Sequence, residues 1–269
     1  MSGLLGKLRR WQLARRPIPE KWLTILEENV PFYPLISGAM RQHFLEMLKI
    51  FIWEKCFIGA GGMVITDEVR VVIAACAVRL VLHLDLSYYD RLSEIVVYPY
   101  VYRHLDEEVA ILGEARNWGT VVLSWPAVLQ GLASPKSGHE TATHEFAHVL
   151  DRADGVFDGT PKLRARADYR PWAEIMSRHY LGLQKGDPLE GRVLRQYGAT
   201  NEAEFFAVAT ESYFERPQLM KELIPDLYAE LQAFYGGDPA LLQSRYSGSE
   251  SSDNQHLQPS GPNGEHGKP

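Results

Sequence analysis

The sequence predicts an α+β fold, helix-rich with a small sheet. Three observations carry this expectation. Apolar residues recur at helical spacing over most of the chain, runs rich in β-branched and aromatic residues are short and few, and 269 residues with 45% hydrophobic and 23% charged side chains suffice for a sizeable core.

Taken in order, the first sixteen residues interleave Lys7, Arg9, Arg10, Arg15 and Arg16 with Leu4, Leu5, Leu8, Trp11 and Leu13, and no acid precedes Glu20. This reads as a solvated arm or first helix; the sharper alternative is a basic amphipathic contact with a membrane or an acidic partner. Phe44, Met47, Leu48, Phe51 and Ile52 lie on one helical face between Ser37 and Trp53, so residues 1–60 are expected to be a helical N-terminal portion. The glycines between Gly59 and Gly62 punctuate the chain before a short strand at Met63 to Ile65. Thr66 reads as an N-cap, Asp67 and Glu68 suit the positive end of a helix dipole, and Val69 to Leu82 is apolar nearly all round, the mark of a buried helix. Ile95 to Val101 and Val121 to Trp125 read as strands, and Pro99 suggests an edge position for the first. Helical patterns follow at Gly138 to Asp151, Tyr169 to Leu183, Asn201 to Glu215 and Leu219 to Tyr235, with a long loop through Asp154-Gly155 and Asp158-Gly159. From Ser247 the chain is Ser, Gly, Pro, Asn and charge, which cannot bury enough to offset its ordering entropy. The expected organisation is one domain over 1–246 and a disordered tail over 247–269.

Composition removes several function classes. Lys plus Arg number 28 against 34 acids, a net charge of −6, so no dominant basic field argues for direct nucleic-acid binding. Cys56 and Cys76 make neither a disulfide framework nor a zinc-finger spacing. Glu54 and Lys55 interrupt one long apolar stretch, and Arg70, Arg79 and Asp85 interrupt another, so no membrane span is expected. The scattered N-terminal cations do not precede the apolar run of a secretion signal, and the expectation is a cytoplasmic protein.

The informative segment is Thr143-His144-Glu145-Phe146-Ala147-His148-Val149-Leu150-Asp151, an H-E-x-x-H motif inside a helical pattern. Side chains at i and i+4 are stacked neighbours, so His144 and His148 can present both imidazoles to one Zn²⁺. Glu145 lies about 100° round the helix, where it can reach a water in the metal's open position and act as general base. A catalytic zinc needs three protein ligands, and Glu202, Glu204, Glu211 and Glu215 compete for the third place. Glu204 shares a face with Ala207 and Val208, whereas Glu202 sits in the first turn as a dipole-compensating acid; Glu211, two turns on, stays open as ligand or as a partner behind one. Asp151 stands at a helix C-terminus, where the dipole disfavours an acid, and orienting a zinc-bound imidazole through its other nitrogen would explain it. The loop from Asp151 to Asp158 lacks the alternating acids of a calcium-binding EF-hand.

The pairing of HEFAHVLD with YGATNEAEFFAVATESYF resembles the Mlc titration factor A family of zinc-dependent peptidases, and a shorter version resembles the protease domain of anthrax lethal factor. The first resemblance extends more weakly to Gly119 to Trp125 and the helical N-terminal half. It implies a zincin-like metallopeptidase fold, with the sheet beside the active-site helix. One Zn²⁺ per chain would be held by His144, His148 and, as a gluzincin-type third ligand, Glu204, which it favours over Glu211. It also implies Glu145 as general base, Tyr197 as the donor to the oxyanion, and a peptide or protein substrate, with aminopeptidase action as one form. Family members can carry a further histidine over the open metal position; His104 and His139 are the candidates here, and neither is matched by its context. In such a fold Gly119 to Trp125 would be an edge strand, able to pair with an extended peptide.

A second function class follows from the same resemblance: a regulatory protein that sequesters a transcriptional repressor of the Mlc type with little or no turnover. A purely structural zinc is disfavoured, because such sites prefer four ligands, often cysteines, and Cys56 and Cys76 stand far from the motif.

Overall fold

The computed structural model describes residues 4–100, 119–134 and 136–244. The expected domain boundary at 246, the tail over 247–269 and His104 lie outside the described residues.

Three N-terminal helices, α1 (Leu4–Ala14), α2 (Glu20–Asn29) and α3 (Gly38–Glu54), lead into strand β1 (Cys56–Gly59). Helix α4 (Asp67–Val81) separates β1 from β2 (Glu94–Tyr98), and β3 (Thr120–Ser124) runs directly into α5 (Trp125–Ala133). The remainder is helical: α6 (Thr141–Asp151), α7 (Tyr169–Gln184), the short α8 (Pro188–Val193), α9 (Glu202–Glu215), α10 (Pro217–Leu223) and α11 (Pro225–Tyr235). No helix among the described residues is long and apolar enough to cross a membrane.

The helix-rich α+β expectation is met by a three-stranded parallel sheet in the order β1-β2-β3, with Ile95 opposite both Phe57 and Val121. Parallel neighbours require a crossover, and α4 supplies it between β1 and β2. As Thr66 promised, its hydroxyl accepts the Val69 N–H at 3.3 Å, and the helix it starts is buried almost all round, packed against α2, α3 and α6. Helix α6 lies between this crossover helix, β3 and α9. Its inward side chain Phe146 meets Phe51 and Tyr89 edge-on, at ring-centroid distances of 6.0 and 5.7 Å, a geometry aromatic quadrupoles favour.

Several local expectations give way. Met63 to Ile65 is irregular; the strand lies earlier, at Cys56–Gly59, a four-residue run too short to separate by its pattern from the helix that ends at Glu54. Pro99 does not mark an edge, because β2 is the central strand and ends one residue before the proline, which therefore disturbs no ladder bond. The stretch from Leu219 to Tyr235 is two helices, broken where Pro225 opens α11. Helices α5 and α8 are additions, each six to nine residues long with Pro in its first turn.

The loop after α6 is fixed by Gly159. Its φ of +77° is in the left-handed region, its N–H donates to Asp151 Oδ2 at 3.0 Å, and a Cβ there would stand 2.3 Å from the Glu202 carbonyl oxygen. This glycine therefore joins the end of α6 to the start of α9. Replacing Gly159 by Ala should lower stability by about 2–3 kcal/mol through left-handed strain and backbone collision, measured as the shift in urea midpoint at constant slope; a loss under about 0.5 kcal/mol would show the junction to be loose.

Candidate metal centre

Helix α6 begins on an unusual cap. Glu140 accepts the Thr143 N–H at 3.2 Å and the Thr143 hydroxyl in a shorter bond, and its carboxylate is fully buried. Burial pushes this carboxyl up, against the pull of Arg79, whose Nη1 stands 3.8 Å away. Arg79 also meets Glu215 at 3.1 Å and lies between the rings of Phe32 and Phe214, so the two buried acids share one cation.

One turn further on, α6 presents His144 and His148, whose rings stand at 89° with centroids 4.8 Å apart. Helix α9 brings Glu204 to them: its Oε2 is 3.0 Å from His144 Nε2 and its Oε1 is 3.4 Å from His148 Nε2. The two Nε2 atoms are themselves 3.2 Å apart. One ligand atom from each residue thus falls within 4.8 Å of the others, at sites buried or half-buried. Two imidazoles and one carboxylate are the donor chemistry of a catalytic zinc site, and they fit a single divalent ion. The sequence left Glu204 and Glu211 as rivals; the structure brings Glu204 into the cluster and sets Glu211 behind it.

Glu211 is wholly buried and faces three donors. His144 Nδ1 lies 3.1 Å from its Oε2, the Glu140 N–H donates to its Oε1 at 2.9 Å, and Arg195 Nη2 donates to Oε2 in a shorter bond. A carboxylate only accepts, so His144 carries a proton on Nδ1, and its Nε2 is the nitrogen turned to the cluster. Burial lowers the His144 imidazole's proton affinity, but the hydrogen bonds to Glu204 and Glu211 outweigh it and lift the group to about 10. Glu204 shows the reciprocal effect: burial opposes its charge, and the two histidines hold it well below the usual carboxylate range.

Glu145 follows His144 on α6, half-buried, and its charge acts on both His144 and Tyr197. Tyr197 sits in a 3-10 turn, Gln196–Ala199, half-exposed, with its ring centroid 5.9 Å from that of His144. Burial, then the charges of Glu204 and Glu145, push its hydroxyl up to about 12 against Arg195, so it keeps its proton at neutral pH. Arg195, two residues earlier, donates from Nε to the Gly138 carbonyl at 3.2 Å and so ties this turn to the approach to α6.

Asp151 makes no hydrogen bond to His148, contrary to expectation, although the two act on each other by charge. Its Oδ2 accepts the Gly159 N–H, and both its Oδ1 and the His148 Nδ1 are buried without a hydrogen-bond partner. Phe157 instead flanks His148, with centroids 5.3 Å apart, and the Arg152 guanidinium covers Phe157 at 3.9 Å. His139 is exposed beside the site and outside the donor set. Sequence reasoning missed Glu140, because Glu is not among the favoured capping residues, and missed Arg195, whose partner is 16 positions away on another helix.

The chain is similar to known proteins over most of its length. The profile of the family described as glucose-regulated metallo-peptidase M90 matches residues 5–236. An uncharacterized protein of Synechocystis, slr2042, is 38% identical over 248 residues, covering 87% of this chain and 90% of its own length. Mlc titration factor A of Pectobacterium atrosepticum is 29% identical over 241 residues (84% and 89%), and that of Edwardsiella ictaluri 28% over 232 residues (81% and 87%).

Replacing Glu211 by Gln removes the charge behind His144 while keeping the side chain's size. The affinity of the cluster for an added divalent ion such as Zn²⁺ should fall about tenfold to a hundredfold, the usual effect of a carboxylate behind a metal-binding imidazole. Competition with a chromophoric chelator measures this, and an unchanged affinity would separate Glu211 from the orientation of His144.

Proposed function

The chain belongs to the glucose-regulated metallo-peptidase M90 family, and from that premise we propose that it is a zinc-dependent metallopeptidase of zincin-like fold that hydrolyses peptide bonds. The observation that carries this reading is the convergence of His144 Nε2, His148 Nε2 and a Glu204 oxygen. These three would hold one Zn²⁺, which when bound supplies Lewis acidity toward the scissile carbonyl and toward a water.

Glu145 then takes a proton from the attacking water and returns it to the leaving amine, the two jobs of one carboxylate at successive steps. Its offset round α6 keeps it out of the donor set while its charge still acts on His144 and Tyr197. Tyr197, protonated and close to His144, donates its hydroxyl to the oxyanion of the tetrahedral intermediate. Strand β3 lies at the margin of the described sheet, beside α6, with Val122 exposed on it. An extended substrate pairs with that margin and presents its backbone to the cluster. The working place of such an enzyme is the cytoplasm.

A second reading rests on the name of the relatives. Proteins called Mlc titration factor A suggest that this chain too binds a transcriptional repressor of the Mlc type, in addition to cleaving peptides or in place of it.

Three variants test these readings. Glu145→Gln should retain one zinc per chain by elemental mass spectrometry while turnover of a quenched peptide falls about a hundredfold to ten-thousandfold. Glu204→Ala should lose the zinc, and Tyr197→Phe should keep it while kcat falls about a hundredfold or more. Undiminished turnover in Glu145→Gln would remove the mechanism; repressor capture that survives in that variant would assign binding to a surface independent of catalysis.

A further inference from the structure

The N-terminal helix presents a face that the metal cluster does not use. On α1, Lys7, Leu8 and Trp11 fall on one stripe by helical spacing, and Arg15 and Arg16 follow in the turn after it; Trp53 stands near the end of α3, next to the Glu54 that Arg10 grips. Leu8, Trp11 and Trp53 are each 51% exposed. The Arg15 guanidinium lies 3.8 Å above the Trp11 ring and that of Arg16 lies 5.0 Å from the Trp53 ring.

Two further cations hold this face rigid. Arg10 meets Glu54 at 2.8 Å and Asp90 at 2.7 Å. Lys49, buried, donates to the carbonyls of Ala14 and Arg16 at 2.5 and 2.6 Å, closing the end of the helix. Lys7, Arg9, Arg15 and Arg16, by contrast, make no ion pair within 4 Å among the described residues, and Asp85 is the acid whose charge acts on Lys7. A chain of net charge −6 therefore carries a local excess of positive charge beside the exposed indoles of Trp11 and Trp53.

We propose that this face is a peripheral docking surface for an anionic lipid bilayer. Leu8, Trp11 and Trp53 enter the headgroup boundary, where an indole finds both an apolar and a polar neighbour, and Lys7, Arg15 and Arg16 meet acidic headgroups. An acidic peptide would satisfy the cations but leave two indoles and a leucine in water; a bilayer takes both. The remaining, acidic surface is repelled by the same membrane, which fixes the orientation of the bound molecule. This inference is independent of the metal cluster.

The test is co-sedimentation of the full chain with vesicles of phosphatidylcholine alone and of phosphatidylcholine with phosphatidylglycerol, read together with tryptophan emission and its quenching by brominated lipid. Partition into the anionic vesicles alone is expected, with a blue-shifted, quenched emission and loss at high salt. Replacing Lys7, Arg15 and Arg16 by Gln should weaken partition about a hundredfold. Replacing Trp11 and Trp53 by Ala should weaken it about tenfold or more. The far-ultraviolet circular dichroism and the thermal midpoint should be unchanged in both variants, which reports that they fold. Absence of partition, equal partition into neutral vesicles, unquenched emission of the bound native chain, or binding to polyglutamate without binding to vesicles would overturn the proposal.

Discussion

The arrangement of the centre depends on one buried carboxylate. Glu211 accepts simultaneously from the imidazole of His144, the backbone N–H of Glu140 and the guanidinium of Arg195. Those three donors come from the face of α6, from its cap, and from the turn that carries Tyr197. A fully desolvated charge is tolerable only when it is well paired, and a single hydrogen bond to it is worth roughly 1.5–3 kcal/mol. Neutralising or shortening this side chain therefore perturbs the tautomer of His144, the start of α6 and the position of Tyr197 together, which a residue within the donor set would not do.

Behind that carboxylate stands a second layer of compensated charge. Glu140 closes the N-terminus of α6 with its own side chain and shares Arg79 with Glu215, in a region also lined by Phe32 and Phe214. An acid at this end of a helix is favoured by the dipole, and Arg79 offsets the desolvation that burial imposes. The aromatic contacts of Phe146 hold the opposite side of α6 against the core. The helix is thus fixed on its polar face by ions and on its apolar face by rings, so two imidazoles can be aimed with little freedom.

Much of this was legible in the chain, for identifiable reasons. The i, i+4 spacing of His144 and His148 is local geometry, and the same is true of the Thr66 cap and the all-round apolar α4. Glu204 could be narrowed but not chosen, because helical spacing leaves Glu211 on the same face and only the position of α6 relative to α9 separates donor from support. Features built from contacts between distant segments left no local mark: the hold of Glu211 on the Glu140 N–H, the pairing of Arg195 with Glu211, and the pairing of Cys56–Gly59 with β2. Asp151 misled because its helix-end position called for a partner, and the backbone of Gly159, eight residues on, provides one.

The spacing of the centre along the chain also sets an order in time. His144 and His148 are synthesised first, but the oxygen that completes the cluster follows His144 by 60 residues, and the carboxylate that orients its ring follows by 67. A chain that ends at α7 carries both histidines but neither of the two glutamates of α9 that face them. Until α9 has docked, the two imidazoles lack both the carboxylate that joins them and the one that holds the His144 ring.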